Sequence, residues 1–423
     1  MRLTIVNQYY VPDISPTAHL SASVAEHRAK LGDQVTVVTS RGGYIAELED
    51  SQAAAVDSPK VYRIWTPRLS KASIVKRMAN YLWFYFAAMW RMLTLPRQDV
   101  ILSLTTPPFI AFTGVLHKLI HPRTQLVLWN MDCYPEVAER TDVIREGGML
   151  SRFMRWLNRR LFRRLDHLVV LDEAMRELLI SQYADPASPV DSTVIPNWEN
   201  ESLFPREIDP PEWEEVDSLG LRDQFVVLYL GNAGYGHRFD TVLQAAKQLA
   251  DEPVKFLFVG GGRRYAEIES QRDALQLNNV IIRGYVPKEI TPSVLKSANC
   301  ALITMADFAL GVMSPSKLHS NLAMGMPIIY VGPAGSNVDS AILRFECGVS
   351  IRHQDVDSLV TSIRRYLADP QFSQAMSRKA RDAFEQAYCD RQTLRQFDEV
   401  FAQLRIATST TVVREAQDVQ TTQ

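Results

Sequence analysis

The chain offers little sulfur chemistry. Its four cysteines, Cys133, Cys300, Cys347 and Cys389, are scattered with no Cys-x-x-Cys pair, which excludes the common zinc spacings and suggests a reducing compartment. It also lacks an excess of charge. Against 48 Asp and Glu stand 46 Lys and Arg, for a formal net charge of −2, so no global basic field points to nucleic acid. No apolar run is long enough for a clear membrane span; the best candidate, residues 81–93, is interrupted by Arg91. The opening residues Met1-Arg2-Leu3-Thr4-Ile5-Val6 have too short an apolar run for a secretory leader and no cleavage site after it. They read as a first strand, and the expected location is the cytoplasm. No internal repeat is visible, and the first strand-to-helix turn is not a Gly-x-Gly-x-x-Gly, so a dinucleotide fingerprint is absent there.

What is present is alternation. Apolar runs at 3–7, 34–39, 61–65, 99–104, 125–129, 168–171 and 192–195 read as strands, and the first two flank a helical pattern over 17–31 closed by Gly32. After an irregular stretch with Pro205, Pro210, Pro211 and an acidic run, the alternation restarts at 225–230 and continues through 255–259, 280–283, 300–304, 327–331 and 349–351. A helix over about 377–405 closes the chain, followed by a frayed tail from 407. With 423 residues, two domains are the default. The expectation is an α/β chain of two Rossmann-like parallel-sheet domains facing across a cleft: 1–205, 206–390, and 391–423 as a returning helix and tail.

The second half carries four turns of the phosphate-binding type, three at successive strand ends and the fourth at the start of a helix. They are Gly231-Asn232-Ala233-Gly234 with His237, Gly260-Gly261-Gly262, Gly284-Tyr285-Val286-Pro287, and Ser314-Pro315-Ser316-Lys317 opening a helix. Glycines let backbone approach a ligand closely, and helix starts present N–H groups and a positive dipole end. Lys317 adds a cation. Each turn alone is weak, and Ser314–Lys317 by itself reads equally as a capped helix with a solvated lysine. The set of four points to a nucleoside diphosphate, with His237 a candidate donor to phosphate.

In the first half, Ser15 and Thr17 lie on a turn where a second ligand meets the carboxyl edge of the sheet. Asp132 and Glu136 follow the strand at 125–129 and are candidates for a general base or for stabilising a developing cation; a helix cap is the even alternative for Asp132. Asp355 and Asp357 resemble a metal pair but stand where a helix begins, so capping accounts for them and no metal is expected. Two stretches look unlike ordinary surface. Residues 81–93 are apolar all round, include Trp83, and follow Lys71, Lys76 and Arg77; such a helix is either deeply buried or dipped in lipid, and aromatics beside basic residues suit the interface. Residues 151–167 place Met154, Leu157, Leu161 and Leu165 on one helical face and Arg152, Arg155, Arg159 and Arg163 opposite, with no acid from Ser151 to Leu165. A structural helix usually alternates charge sign; a basic amphipathic one suits anionic lipid heads.

Taken together, these motifs resemble the GT-B glycosyltransferases, closest to family 4, the retaining group that includes many enzymes of bacterial surface-polysaccharide assembly. The resemblance spans nearly the whole chain. It rests on Gly231-Asn232-x-Gly234 with His237 and Asp240, Gly284–Pro287, Pro315-Ser316-Lys317-Leu318 with Ala323–Pro327, Asp132-x-x-Pro135-Glu136, and Val194–Asn197. It implies a metal-independent transfer without further cofactor. Gly231, Asn232, Gly234, His237, Gly261, Tyr285, Val286, Pro287, Ser314, Ser316 and Lys317 would bind a nucleotide-sugar donor. Lys317 and Asp132 would be catalytic. Ser15, Thr17, Trp83, Arg155, Arg159 and Arg163 would face a saccharide or polyprenyl-diphosphate-linked acceptor and an anionic membrane, on the inner face of the cell membrane. The chain departs from the family where many members carry Glu-x7-Glu, here Val312 and Ser320, and where Arg and Lys usually grip the diphosphate, here Asn232 and His237. A silent scaffold of an assembly complex and a GT-B sugar-nucleotide epimerase are the alternatives.

Overall fold

Strands buried on both faces carry continuous apolar runs, and that pattern dictates the two sheets. The structure is a computed structural model describing residues 1–13, 15–41, 58–66, 74–207 and 209–421, with backbone alone described at 74–78, 288 and 407–421. The first half contributes β1 (Arg2–Val6), α1 (Pro16–Lys30), β2 (Gln34–Ser40), β3 (Lys60–Ile64), α2 (Ile74–Thr94), β4 (Val100–Ser103), α3 (Phe112–Ile120), β5 (Gln125–Trp129), α4 (Glu136–Arg140), α5 (Met149–Phe162), β6 (His167–Val170), α6 (Glu173–Tyr183) and β7 (Asp191–Val194). The second contributes β8 (Phe225–Asn232), α7 (Asp240–Gln248), β9 (Val254–Gly261), α8 (Tyr265–Ala274), β10 (Val280–Arg283), α9 (Thr291–Lys296), β11 (Cys300–Thr304), α10 (Lys317–Ala323), β12 (Ile328–Val331), α11 (Asn337–Phe345), β13 (Gly348–Ile351), α12 (Val356–Ala368), α13 (Pro370–Ala383) and α14 (Asp390–Thr421).

Among the described residues the strands form two all-parallel sheets, ordered β3-β2-β1-β4-β5-β6-β7 and β10-β9-β8-β11-β12-β13. Both reverse direction of travel once, between β1 and β4 and between β8 and β11. These are the topological switch points, where open α/β sheets open a crevice at their carboxyl ends. In the second sheet the period of two splits the apolar residues cleanly. Val226, Leu228, Leu257 and Val259 enter one buried cluster, while Val227, Tyr229, Phe256 and Phe258 enter another on the opposite face.

The chain divides into two compact units: Met1–Leu171 with Arg176–Ile195 and Leu394–Gln423, and Asp172–Met175 with Pro196–Thr393. The first boundary thus falls at Ile195 rather than in the proline-rich stretch near Pro205. The closing helix is not one rod from 377 to 405. A five-residue π-helical segment, Phe384–Tyr388, follows α13, and Cys389 is extended. There the chain pairs with the segment that follows β7: Glu199 N donates to Tyr388 O at 3.2 Å and Asp390 N to Glu199 O at 3.1 Å. Beyond it α14 runs as helix to Thr421, past the point where fraying was expected. Phe397, Val400, Phe401 and Leu404 are buried at helical spacing, and Phe397 meets the Trp129 ring edge-on at 4.7 Å between centroids. Asp355 caps α12, accepting from Ser358 N at 3.1 Å.

Candidate functional site

The best-defined constellation surrounds the β8/β11 switch point. The ladder between β8 and β9 continues through Gly231↔Gly260 and Asn232↔Gly261, so these residues are strand ends and not the loops their composition suggests. Gly260 has φ +139°, and a Cβ there would strike the Gly231 carbonyl; only glycine lets the two strands close at this height. Gly261 is covered by Tyr285, whose ring would lie 2.6 Å from an added Cβ. The Tyr285 hydroxyl donates to Asn232 Oδ1 at 3.3 Å, while the rest of Tyr285 is exposed and Val286 packs at the core edge. Gly234 O accepts from His237 N at 3.3 Å, so Gly234 closes the turn that presents His237.

Lys317, the first residue of α10, turns back over this floor. Its Nζ donates to Asn232 O at 2.9 Å, stands 3.4 Å from His237 Nε2, and lies 5.0 Å from the Tyr229 ring centroid. Burial pushes the Lys317 pKa down to about 8: the ammonium form is poorly solvated here and gains from an anion. His237 is buried, with Nδ1 2.7 Å from Thr304 O. Burial and the neighbouring Lys317 cation push its pKa down to about 3. A neutral ring whose Nδ1–H donates to a carbonyl leaves a lone pair on Nε2. His237 therefore faces Lys317 as an acceptor, which corrects its expected part as a phosphate donor. Pro287 and Ser316 are exposed beside these groups, Ser314 is half-buried, and Ser316 makes no side-chain cap to α10. At the Glu-x7-Glu positions Val312 is fully buried and the Ser320 hydroxyl bonds back toward Lys317 O at 3.5 Å. Asp240 is held by Arg238 at 2.6 Å.

In the first unit, Asp132 sits just past β5. It is no helix cap: Pro135 occupies that position for α4, and the Asp132 backbone N–H donates to Thr105 Oγ1 at 3.2 Å. Its side chain reaches the surface of a pocket also lined by Thr105, Asn130, Tyr134 and Asn158. Protein crowding around it raises the carboxyl pKa, making it a stronger base than a free aspartate. Glu136 is different. It is buried, accepts from the Tyr183 hydroxyl and lies 3.3 Å from Arg155 Nη1. It holds the fold together and is withdrawn as a catalytic candidate. Ser15 and Thr17 are half-buried, with hydroxyls 2.9 Å apart at the start of α1.

The α5 basic face divides. Arg155 is only 21 % exposed and bridges two carboxylates, Glu136 and Glu139, the latter at 2.6 Å. Its assignment to lipid is therefore corrected: the opposite charges absent from its own helix come from α4. Arg152, Arg159, Arg160 and Arg163 are exposed, and Arg163 is 3.9 Å from Asp185. Beside them Met149, Leu150, Phe153 and Trp156 are exposed as well, Met149 at 83 %. On α2 the expected all-round apolar helix has two faces. Phe84, Ala88 and Met92 are buried, whereas Leu82, Trp83, Phe86 and Trp90 are exposed, Trp90 at 71 %. Trp83 donates to Trp65 O at 2.9 Å. Lys71 lies outside the described residues, as do the side chains of Lys76 and Arg77. Among the described residues no helix is long and apolar enough to cross a membrane.

Residues 18–198 match the family described as glycosyl transferase 4-like domain, and residues 211–383 match glycosyl transferases group 1. The chain belongs to the family 4 glycosyltransferases of the GT-B fold. This glycosyltransferase is 23 % identical over 410 residues to the putative colanic acid biosynthesis glycosyl transferase WcaI of Escherichia coli K12, covering 94 % of this chain and 98 % of that protein. It is 27 % identical over 253 residues to the probable glycosyltransferase WbjE of Pseudomonas aeruginosa, covering 58 % of this chain and 60 % of that one. Its fold is similar to that of HepE from Anabaena, solved in complex with UDP, with a TM-score of 0.67 at 14 % identity over 95 % of this chain and 100 % of HepE.

Proposed function

We propose that this glycosyltransferase moves a hexose-type sugar from a nucleoside diphosphate to a saccharide carried on a polyprenyl diphosphate. It would act in cell-surface polysaccharide assembly on the inner face of the cell membrane. Transfer proceeds with retention, without a metal and without a cofactor beyond the donor. The observation that carries this reading is the Lys317 amine held over a glycine floor at the β8/β11 switch point. A cation there meets the charge that develops on a departing diphosphate. Asp132, with its raised pKa, is the candidate for polarising the acceptor. The name of WcaI, a putative colanic acid biosynthesis glycosyl transferase, supports a polysaccharide context, and HepE, which was solved with UDP, supports a UDP-type donor.

The first test is thermal unfolding with UDP, GDP, ADP, dTDP and CMP at millimolar concentration. A ligand of the folded state raises the midpoint, and one nucleotide is expected to stand out. No rise with any would favour the silent scaffold. A nucleotide shift without sugar transfer, but with epimer formed from the nucleotide sugar, would favour the epimerase.

The membrane part of the reading rests on the exposed aromatic and arginine residues of α5 together with the exposed apolar face of α2. Aromatic side chains beside cations suit the headgroup region. Arg159→Ala combined with Arg160→Ala should weaken binding to vesicles containing anionic lipid by roughly thirtyfold, at about 1 kcal/mol per arginine. Binding of the unsubstituted protein to zwitterionic vesicles as tight as to anionic ones would overturn the electrostatic part.

A further inference from the structure

The reading of Lys317 as a phosphate ligand leaves open what keeps a long, flexible amine over the glycine floor before any ligand arrives. His237 answers this in geometry. It stands in the turn between β8 and α7, while Thr304 ends β11 and Lys317 begins α10. One imidazole therefore ties together three segments around the switch point. Thr304 O can only accept, so at 2.7 Å it fixes the proton on Nδ1. The Nε2 lone pair then faces Lys317 Nζ at 3.4 Å. The Tyr229 ring lies edge-on to His237 at 5.7 Å and 5.0 Å from the amine, fixing both from below. The remaining hydrogen bond of the amine runs to Asn232 O at 2.9 Å. An ammonium has three protons. Two are occupied by these acceptors, and the third is available to an incoming oxyanion.

We propose that His237 is a positioning residue for Lys317, a neutral acceptor that holds the amine with one N–H aimed at the diphosphate of the donor. This rests on the proposed role of Lys317 and assigns His237 no contact with substrate. The cation is supplied by Lys317, and His237 supplies the lone pair that orders it.

Two substitutions separate the two ring nitrogens. His237→Asn keeps an N–H near the Nδ1 position for Thr304 O and removes the acceptor facing Lys317. His237→Gln places an amide oxygen near the Nε2 position and gives up the bond to Thr304. Affinity for UDP and for inorganic pyrophosphate is measured by titration calorimetry, with thermal midpoints to confirm folding. His237→Asn is expected to weaken both ligands about tenfold, the effect of losing one charge-assisted hydrogen bond, and His237→Gln to stay within about threefold of the unsubstituted protein. The reverse order, with Gln the weaker binder, would mean that His237 only anchors Thr304 and would overturn the proposal. Equal affinity in all three proteins would overturn it too. Lys317→Ala run in parallel keeps the two ideas apart. If it binds both ligands normally, Lys317 is no phosphate ligand. If it binds poorly while His237→Asn binds normally, only the positioning role fails.

Discussion

Lys317→Ala should lower kcat/KM by about two to three orders of magnitude, the loss of some 2.7–4 kcal/mol that removal of one preorganised charge-stabilising donor produces. The substitution removes the amine that Asn232 O and His237 hold over the glycine floor. Activity is measured as nucleoside diphosphate released with the donor that the unfolding panel selects. The pH profile supplies a second readout. The free enzyme carries the ammonium below about 8, so kcat/KM should fall as pH rises through that value. Lys317→Arg should carry the alkaline limb upward, since a guanidinium stays charged. The stability consequence has the opposite sign. Folding lowers the Lys317 pKa from 10.5 to about 8, so between those values the unfolded chain binds more protons and stability rises with pH. Lys317→Met should remove that slope and leave the folded state no less stable at neutral pH. Turnover unchanged in Lys317→Ala would exclude the residue from the site.

Arg155→Met should destabilise the protein by about 3–5 kcal/mol, because it strands buried carboxylates that the guanidinium pairs. Both carboxylate side chains, Glu136 and Glu139, are only 3 % exposed, and the Tyr183 and Ser151 hydroxyls complete the network. Chemical denaturation with an unchanged m-value is the measurement. Vesicle binding by the folded fraction should be unaffected, the opposite of Arg159→Ala with Arg160→Ala. Acid should act on the same network. Despite burial, hydrogen bonds from Ser151 and Arg155 hold the Glu139 pKa below its usual 4.5. Its stabilising contribution is therefore complete above the unfolded value and is lost as pH falls through the lower folded one. In Arg155→Met that acid sensitivity should shift toward neutral pH. A variant of normal stability that no longer binds vesicles would return Arg155 to the membrane face.

Local pattern determined a good deal about this protein. Apolar runs of strand length separated by helical periodicity were enough to specify two parallel sheets, because β-strands in α/β proteins are buried on both faces and say so residue by residue. Glycine turns at strand ends, with the Pro315-Ser316-Lys317 start of α10, pointed to a nucleoside diphosphate in the second half. At Gly260 a φ of +139° and the approach of the Gly231 carbonyl demand glycine, so that signal too is local. What a local pattern cannot contain is the identity of a partner distant in the chain. Arg155 reads as a lipid-facing arginine until α4 brings Glu136 and Glu139 to it. His237 reads as a phosphate donor until packing sets Thr304 O on one ring nitrogen and Lys317, 80 residues further on, against the other. The closing helix reads as continuous until Glu199 takes the backbone hydrogen bonds of Tyr388 and Asp390. In each case tertiary structure decided the matter, because a buried polar or charged group takes the partner that packing brings to it, and only the folded chain says which one that is.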